Sequence, residues 1–374
     1  MSSDFGIYIH TPWCKSRCPY CAFNVYLSHT SDYGRWKEGI LSAWGAMESR
    51  FSGEAHSLYF GGGTPSLAPA GIIQEIIEAL PLAADAEVTL EANPGSIDTE
   101  GLKDLQRAGV NRLSIGVQTF NQSHARTLGR GHTVQQARDL LTAAHTLGFS
   151  SWSMDLMFSL PDQTADELQR DLDDLLALAP PHVSLYGLSI EPGTPFQRAF
   201  QAERFTLPDP ETWRSMYDSI VLQLDRAGLH RYEVSNFARS GHRAVHNEQV
   251  WRGGYYAGLG PGAHGFLPDG HRTLGHQDID AWYDDPAPEE QSPEPLDAAV
   301  DYLLSSLRHI DGSSRTTLRQ QYGFDLCQSD LLPLIRQGFI HEHGDHVRLT
   351  QAGFPLADGI LRKLIDGVTG VSHT

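Results

Sequence analysis

Short apolar runs alternate with longer amphipathic stretches over the first half of the chain. The apolar runs predict buried strands at 5–10, 57–61, 88–92, 112–118, 151–158 and 182–189. The stretches between them have helical periodicity at 31–50, 69–80, 98–108, 133–147 and 164–178. Because strands that alternate with helices form parallel sheets through right-handed crossovers, we predict an α/β fold. Six units are fewer than the eight of a closed barrel, which indicates a partial (β/α)6 TIM barrel, open on one side, over residues 1–200.

The rest of the sequence predicts two further parts. Residues 201–283 are interpreted as an extension of the barrel, and the acidic, proline-rich stretch at 284–297 as a linker. Helical runs lie at 297–309, 315–322, 329–337 and 353–366, with a hairpin signal at Gly344-Asp345. This order predicts a small winged-helix-like domain over residues 298–374. Since the domain has no basic recognition face, we interpret it as a packing or partner surface and not as a DNA reader.

The charge balance excludes several classes of partner. The chain carries 46 acidic and 28 basic residues, a net charge of −18, and such a field repels nucleic-acid phosphates. No run of 18 apolar residues is present, so we expect no membrane span. The first residues have no basic region followed by an apolar stretch, and a secretory signal is therefore not expected. We expect a cytoplasmic protein without a nucleic-acid partner.

Three of the four cysteines are crowded into one short segment. Cys14, Cys18 and Cys21 have the spacing C-x3-C-x2-C, whereas Cys327 is distant and is expected to be a small buried apolar residue. Three thiolates on one loop can hold three irons of a [4Fe–4S] cluster and leave one iron open to an external ligand such as S-adenosylmethionine. Zinc with a histidine ligand and cysteines without metal stay open as alternatives. His10 and His29 are the nearby donors for zinc.

Polar residues and glycines follow several predicted strands. A glycine loop, Gly61-Gly62-Gly63-Thr64-Pro65-Ser66, follows the second strand. Glu91, Gln118 and Asp155 lie inside or at the ends of strands that otherwise read as buried. Buried polar side chains need partners, and three of them at comparable strand ends favour a shared polar ligand over isolated core residues. The glycine loop would let the backbone approach that ligand, although a tight turn alone would also explain it.

Several runs resemble one enzyme group. YIHTPWCKSRCPYC, YFGGGTPS, LEANPGSI, NRLSIGVQTFN and SMDLMFSLPDQT are similar to the radical S-adenosylmethionine group that contains oxygen-independent coproporphyrinogen III dehydrogenase. The resemblance extends to about residue 265 and implies a six-unit partial TIM barrel, a [4Fe–4S] cluster and bound S-adenosylmethionine. It assigns the cluster to Cys14, Cys18 and Cys21. It assigns contacts with S-adenosylmethionine to Tyr8, Tyr20, Gly63, Thr64, Glu91, Gln118, Arg130, Asp155 and Ser189.

Within this group the chain resembles heme chaperones of the HemW type more than the dehydrogenase. The dehydrogenase has a fourth cysteine two residues after the third, where this chain has Phe23, and a long arm before its first strand, which is not expected here. The heme chaperones carry an HNxxYW motif, which reads here His246-Asn247-Glu248-Gln249-Val250-Trp251. The tyrosine of the motif is replaced by Val250. A neutral imidazole is a good ligand for heme iron, and an indole face can stack on a porphyrin.

The resemblance implies a chaperone that binds heme and delivers it to membrane respiratory proteins. His246 is the candidate iron ligand and Trp251 a candidate wall, with His264 and His242 as substitutes. The cluster and S-adenosylmethionine would shape heme transfer without obligatory turnover, and a homodimer is compatible with this interpretation. The alternative is radical oxidative decarboxylation of a porphyrinogen by a coproporphyrinogen III dehydrogenase. A radical enzyme acting on another tetrapyrrole, such as a heme-opening methyltransferase, also stays open.

Overall fold

A twelve-stranded open sheet forms the centre of the molecule in a computed structural model, which describes residues 4–370. The six predicted strands are all present: β1 (Phe5–Thr11), β2 (Ala55–Gly62), β3 (Leu82–Ala92), β4 (Arg112–Gln118), β5 (Ser151–Phe158) and β6 (His182–Gly187). They lie in sequence order, and each pairs in parallel with the next. Their carboxyl ends therefore meet at one edge of the sheet, where α/β barrels place their chemistry.

Helices connect these strands. They are α1 (Tyr33–Met47), α2 (Ala70–Ala79), α3 (Thr99–Arg107), α4 (Gln122–Thr127), α5 (Val134–Thr146) and α6 (Ala165–Leu178). Short 3₁₀ turns lie at Ser28–Thr30, Glu48–Arg50 and Pro65–Leu67. Capping boxes begin α5 at Thr133 with Gln136 and α6 at Thr164 with Glu167, which fixes where each helix starts.

The extension continues the same sheet at both edges. Helix α7 (Pro195–Gln201) leads into it, and its further helices are α8 (Pro210–Arg226), α9 (Val245–Trp251) and α10 (Ile279–Asp284). Its strands are β7 (His230–Arg231), β8 (Asn236–Ala238), β9 (Tyr256–Leu259), β10 (His264–Phe266) and β11 (Arg272–Leu274), followed by β12 (Glu289–Gln291). β9 lies parallel to β1, whereas β8 lies antiparallel to β6. The sheet order is β12-β11-β10-β9-β1-β2-β3-β4-β5-β6-β8-β7.

Part of the predicted linker is structured. Glu289, Glu290 and Gln291 form β12, an exposed edge strand that pairs antiparallel with β11. Charged side chains are common on edge strands because they discourage pairing with another chain. The low hydrophobicity of this stretch therefore reflects an edge position as well as a connection.

The C-terminal part has a hydrophobic core of its own. Its helices are α11 (Pro295–Ser306), α12 (Arg315–Thr317, continued by a π turn at Leu318–Tyr322), α13 (Gln328–Arg336) and α14 (Ala357–Asp366), with a 3₁₀ turn at Phe354–Leu356. Its strands are β13 (Ser313–Ser314), β14 (Phe324–Leu326), β15 (Ile340–His343), β16 (His346–Leu349) and β17 (Val368–Gly370). β15 and β16 form the predicted hairpin. The winged-helix-like description and the domain division stay predictions.

The distant cysteine differs from its prediction. Cys327 is only partly buried, and its Sγ lies 3.0 Å from Ser329 Oγ. It precedes α13 at the surface of the C-terminal part, so it does not fill an apolar core position. Over residues 4–370 no helix is both long and apolar enough to cross a membrane.

Candidate functional site

The three crowded cysteines lie on the loop that follows β1. Trp13–Cys14 pairs in parallel with Tyr26–Leu27, which closes the loop at its base, and the Trp13 ring is fully buried. Inside the loop Cys21 N donates to Cys18 O at 3.1 Å. All three thiols are free and half-buried, and burial raises the pKa of Cys14 and Cys21. The local fold thus presents three thiols from one short segment.

A chain of hydrogen bonds connects two of these cysteines through the ends of other strands. Arg130 Nη1 donates to Cys18 Sγ at 3.8 Å, and Arg130 Nη2 donates to Gly116 O at 2.7 Å and to Asn93 Oδ1. Asn93 Nδ2 donates to Thr64 Oγ1 at 3.0 Å, and Thr64 Oγ1 donates to Cys14 Sγ at 3.5 Å. Hydrogen bonds to sulfur stabilise its thiolate form and tune the potential of an iron–sulfur cluster.

The glycine loop after β2 lies against the backbone of the cysteine loop. Gly63 N donates to Thr11 O and Thr64 N donates to Trp13 O, both at 2.8 Å. A Cβ at Gly63 would lie 2.6 Å from Trp13 O, so only glycine allows this approach. Gly62 has a φ of +102°, in the region that favours glycine. The two loops therefore form one continuous backbone surface.

Glu91, near the end of β3, is held by two donors. Tyr59 OH donates to its Oε1 at 2.9 Å, and Gly62 N donates to its Oε2 at 3.2 Å. Desolvation raises the pKa of Glu91 to about 7, the hydrogen bond from Tyr59 opposes the rise, and the charge of Asp155 adds to it. The carboxyl group therefore changes charge near neutral pH.

Gln118 and Asp155 belong to neighbouring strands and face the same cavity. Asp155 accepts from Ser114 Oγ and from Ser153 Oγ, each at 2.7 Å. Gln118 ends β4 with a φ of +70°, next to a shift in the pairing of β4 with β5. Left-handed backbone at a residue other than glycine is uncommon and is often found at binding sites, where it re-aims a side chain.

The cysteine cavity, as we call it, has a volume of about 520 Å³ and collects ten of the predicted residues. It is lined by Cys14, Cys18, Cys21, Tyr20, Gly63, Thr64, Glu91, Gln118, Arg130 and Asp155. The set contains three soft thiols with carboxyl, amide and guanidinium groups, in a volume typical of small-molecule sites. This donor set fits a [4Fe–4S] cluster with S-adenosylmethionine.

The two histidines near the cysteines are not placed to bind zinc with them. His10 uses both ring nitrogens, since Nδ1 lies 3.0 Å from Tyr8 OH and Nε2 lies 2.8 Å from Asn24 O. His29 is exposed on the turn at Ser28–Thr30 and does not line the cysteine cavity. Neither imidazole is therefore placed as a fourth ligand.

A second cavity, of about 800 Å³, lies beside the first and contains the motif histidine. We call it the histidine cavity; it is lined by Tyr8, His10, Arg17, Phe23, Asn24, Tyr59, Glu91, Tyr186, His246, Asn247, Val250, Trp251, Tyr256 and His264, among others. His246 is 6% exposed and its Nδ1 lies 3.0 Å from Ser57 Oγ. Burial lowers the pKa of His246 to about 4, so its imidazole is neutral at physiological pH.

The two cavities share a wall. Tyr59, Glu91, Tyr186 and Asn247 line both of them. Phe23, which replaces the fourth cysteine of the dehydrogenase motif, also lines both and is 62% exposed. Ligands in the two cavities would therefore lie against the same side chains.

Two predicted cofactor contacts do not lie in the cysteine cavity. Tyr8 lines the histidine cavity, where its ring centroid is 6.4 Å from that of His246. Ser189 is exposed and lines a separate cavity with Leu185 and Gly187. Successive side chains of a strand alternate between faces, so residues 184 and 186 face the cysteine cavity while residue 189, beyond the strand end, follows the opposite face.

The substitute histidines have different positions. His264 is exposed and lines the histidine cavity, so it remains a second donor there. His242 lies outside that lining, with its Nδ1 at 3.2 Å from Ser151 Oγ. Trp251 ends α9 and is partly buried in the wall of the same cavity.

Sequence reasoning missed three residues of the cysteine cavity. Tyr59 in β2 holds Glu91, and Asn93, directly after β3, holds Arg130; their signal was a polar side chain in or just after a strand that lines this cavity. His132 also lines the cavity, and its Nε2 is buried without a hydrogen-bond partner within residues 4–370. Desolvation, together with the charge of Arg130, lowers the pKa of His132 to about 4.

Comparison with known proteins identifies the family of the chain. Residues 8–175 match the model of the Radical SAM superfamily. The heme chaperone HemW of Escherichia coli is 36% identical over 361 residues, which cover 93% of this chain and 94% of that protein. The heme chaperone HemW of Bacillus subtilis is 31% identical over 361 residues, covering 92% of this chain and 95% of that protein.

A solved structure confirms the predicted fold class. Coproporphyrinogen III oxidase (HemN) from Escherichia coli, described as a radical SAM enzyme, matches with a TM-score of 0.80 over 96% of this chain and 89% of that chain, at 22% identity. Membership of the superfamily implies a [4Fe–4S] cluster and S-adenosylmethionine, which the cysteine cavity fits. The chain belongs to the radical SAM superfamily and, within it, to the family of HemW heme chaperones.

Proposed function

We propose that the chain is a heme chaperone, which binds heme in the histidine cavity beside a [4Fe–4S] cluster and S-adenosylmethionine. The observation that carries the proposal is the placement of a buried, neutral His246 in a large cavity that shares its wall with the cysteine cavity. The names of the relatives, heme chaperone HemW, support the same cargo.

His246 has the properties of an iron ligand. Coordination through Nε2 requires the proton on Nδ1, which would then donate to Ser57 Oγ, 3.0 Å away. Because the pKa of His246 is about 4, no proton competes with iron near pH 7. Tyr59 and Tyr256 surround the imidazole, with ring centroids 5.3 and 6.1 Å from it. Trp251 supplies an aromatic face in the same cavity.

The cysteine cavity would hold the two resident cofactors. Cys14, Cys18 and Cys21 would bind the cluster, and Arg130 and Thr64 would donate hydrogen bonds to its cysteine sulfurs. When bound, the cluster supplies one-electron chemistry to S-adenosylmethionine. The backbone at Gly63 would allow close approach of that cofactor, while Glu91, Gln118 and Asp155 offer acceptors and donors for its polar groups.

Delivery to a membrane respiratory protein is the finer part of the proposal. The net charge of −18 disfavours direct docking on anionic lipid, so transfer would use a protein contact at the membrane. In this role the cofactors would shape heme transfer without obligatory turnover.

The experiment is an anaerobic heme titration of cluster-reconstituted protein, followed by its Soret band. We expect saturation near one heme per chain and a clear loss of affinity in His246→Ala. His264→Ala is the matched control, because it removes an exposed imidazole from the same cavity and leaves His246 in place.

The outcomes separate three interpretations. A loss in His264→Ala alone would move the ligand to His264 and overturn the assignment of His246. No saturable heme binding by the unmodified chain would overturn the chaperone. Decarboxylation of coproporphyrinogen III would then be the next assay, since that reaction is the alternative function.

A further inference from the structure

An arginine is buried at the base of the cysteine cavity. Arg112 begins β4, is 2% exposed and lines the cavity, with Ser114, Gly116 and Gln118 following on the same face of the strand. Its Nε and Nη2 are buried and have no hydrogen-bond partner within the described part of the chain. A buried cation with unused donors is energetically unfavourable unless something pairs with it.

The ion pair of Arg112 satisfies it only in part. Glu87 Oε2 lies 3.6 Å from Arg112 Nε, beyond hydrogen-bond distance. The other oxygen, Oε1, accepts from His246 N at 3.4 Å, at the start of α9. Glu87 is thus divided between the arginine and the helix that carries the candidate iron ligand. The guanidinium therefore keeps two buried donors without a partner, in a residue that lines the cysteine cavity. Glu87 also connects Arg112 to the helix that carries His246.

Other groups near Arg112 already have partners. Each carboxylate oxygen of Asp155, in the same cavity, accepts one hydroxyl hydrogen, from Ser114 or from Ser153, and neither oxygen forms an ion pair with Arg112. Ser153 also contacts Ser184 and His182, at 3.1 and 2.8 Å. No second carboxylate forms an ion pair with Arg112 among residues 4–370. The planar, permanently charged guanidinium suits a ligand carboxylate, which can accept two parallel hydrogen bonds.

We propose that Arg112 binds a side-chain carboxylate of the tetrapyrrole, which would reach the base of the cysteine cavity through the wall shared by the two cavities. The inference rests on the proposed heme function and adds a specificity-determining residue to it. S-adenosylmethionine is the other source of a carboxylate, and the experiment separates the two.

The test compares heme with heme dimethyl ester, in which both carboxylates are blocked. The variant is Arg112→Gln combined with Glu87→Gln, so that no buried charge is left unpaired. Glu87→Gln alone is the first control, because it makes the same change at His246 N and keeps the arginine. Arg170→Gln, on the exposed face of α6, is the second control for loss of one positive charge. Unchanged cluster absorbance and thermal midpoint verify folding.

We expect the double variant to bind heme about tenfold to a hundredfold more weakly than Glu87→Gln, the loss typical of charge-assisted hydrogen bonds. Its affinities for the dimethyl ester and for S-adenosylmethionine should stay within about twofold. If the double variant does not fold, Arg112→Lys is the substitute, because it keeps the ion pair with Glu87 but lacks the planar guanidinium. We then expect the affinity for heme to fall by about fivefold or more and the affinity for its ester to stay unchanged.

Three results would overturn the inference. Equal losses for heme and its ester would show that Arg112 acts through packing. A loss confined to S-adenosylmethionine would assign the anion to that cofactor. Unchanged heme affinity would leave Arg112 as a structural partner of Glu87. Failure of the unmodified chain to bind heme would instead overturn the chaperone proposal itself, and this inference with it.

Discussion

Glu91 is balanced between its two charge states at neutral pH. Its pKa is raised to about 7 because the surrounding protein removes water from the carboxyl group, while Tyr59 OH stabilises the ionised form. As a carboxylate it can accept hydrogen bonds from a cationic ligand, and as an acid it can accept fewer. A small change in pH therefore changes what the cysteine cavity binds.

We predict that affinity for S-adenosylmethionine rises between pH 6 and pH 8, as Glu91 ionises around its pKa of about 7. Equilibrium binding to cluster-reconstituted protein at several pH values measures the effect. Glu91→Gln should bind weakly and lose this pH dependence. Tyr59→Phe removes the donor that favours the carboxylate, so the midpoint should move to higher pH. An unchanged pH profile in Glu91→Gln would contradict the role of this group.

Single residues of the site differed in how well the sequence predicted them. The spacing of Cys14, Cys18 and Cys21 and the polar residue Glu91 in an apolar strand carried their own signals. Arg130 was found only through the family resemblance, because a lone arginine after a short helix has no pattern of its own. Asn93 was missed although it lies at the same strand end as Glu91, since its partner Arg130 is 37 positions away.

The backbone of the glycine loop packs so closely on the cysteine loop that Gly63 does not allow a side chain. Gly63→Ala would place a methyl group 2.6 Å from Trp13 O, a backbone atom that cannot move without shifting the cysteine loop. We predict a loss of about 1–3 kcal/mol in the free energy of unfolding and weaker retention of the cluster. Denaturation by urea and cluster absorbance measure the two effects. Gly71→Ala, in open space on α2, is the control and should be neutral or stabilising.

Helix α9 is short and depends on contacts outside itself. Glu248 lies in this helix and forms ion pairs with Arg243 and Arg252, each at 2.9 Å, and its Oε1 lies 3.5 Å from Nε2 of His309 in the C-terminal part. The contact with His309, followed by the two arginines, lowers the pKa of Glu248 to about 2. This cluster therefore joins the element that carries His246 to the C-terminal part.

We predict that Glu248→Gln lowers the free energy of unfolding by about 1 kcal/mol at neutral pH. The unfolded carboxyl has the ordinary value of 4.5 and the folded one about 2, so the stabilisation is complete above pH 4.5 and is lost as pH falls toward 2. Urea denaturation at pH 7 and at pH 3 checks both statements. Glu38→Gln, exposed on α1, should change neither. Equal stability of Glu248→Gln and the unmodified chain at pH 7 would contradict the prediction.

Elements with strong periodicity were predicted best. β4 and β5 have the predicted bounds, because their apolar residues are flanked by residues that do not favour strands, and these mark both ends of each strand. β3 begins at Leu82, six residues before its predicted start. Its first residues, LAADAE, are mostly small and only partly buried, so they carry no alternating apolar signal. The parallel pairing of β9 with β1 joins residues about 250 positions apart, and local periodicity contains no information on such a partner.

At the scale of the whole molecule, the acidic surface is the property most easily tested. A net charge of −18 repels phosphate and anionic headgroups over the distance of the salt-screened field. We predict that the chain stays in the supernatant when anionic vesicles lacking an acceptor protein are sedimented at about 0.1 M salt. Neutral vesicles are the control. If the chain sedimented with anionic vesicles but not with neutral ones, the result would contradict delivery through a protein contact.

The wall shared by the two cavities has a thermodynamic consequence. Any movement of the shared side chains to fit one ligand also changes the surface that contacts the other ligand. These side chains are Tyr59, Glu91, Tyr186 and Asn247. Whatever factor S-adenosylmethionine applies to the affinity for heme, heme must apply the same factor to the affinity for S-adenosylmethionine. If the chain binds heme as proposed, and that factor differs from one, its load of heme would report the supply of S-adenosylmethionine, even if that cofactor were never consumed.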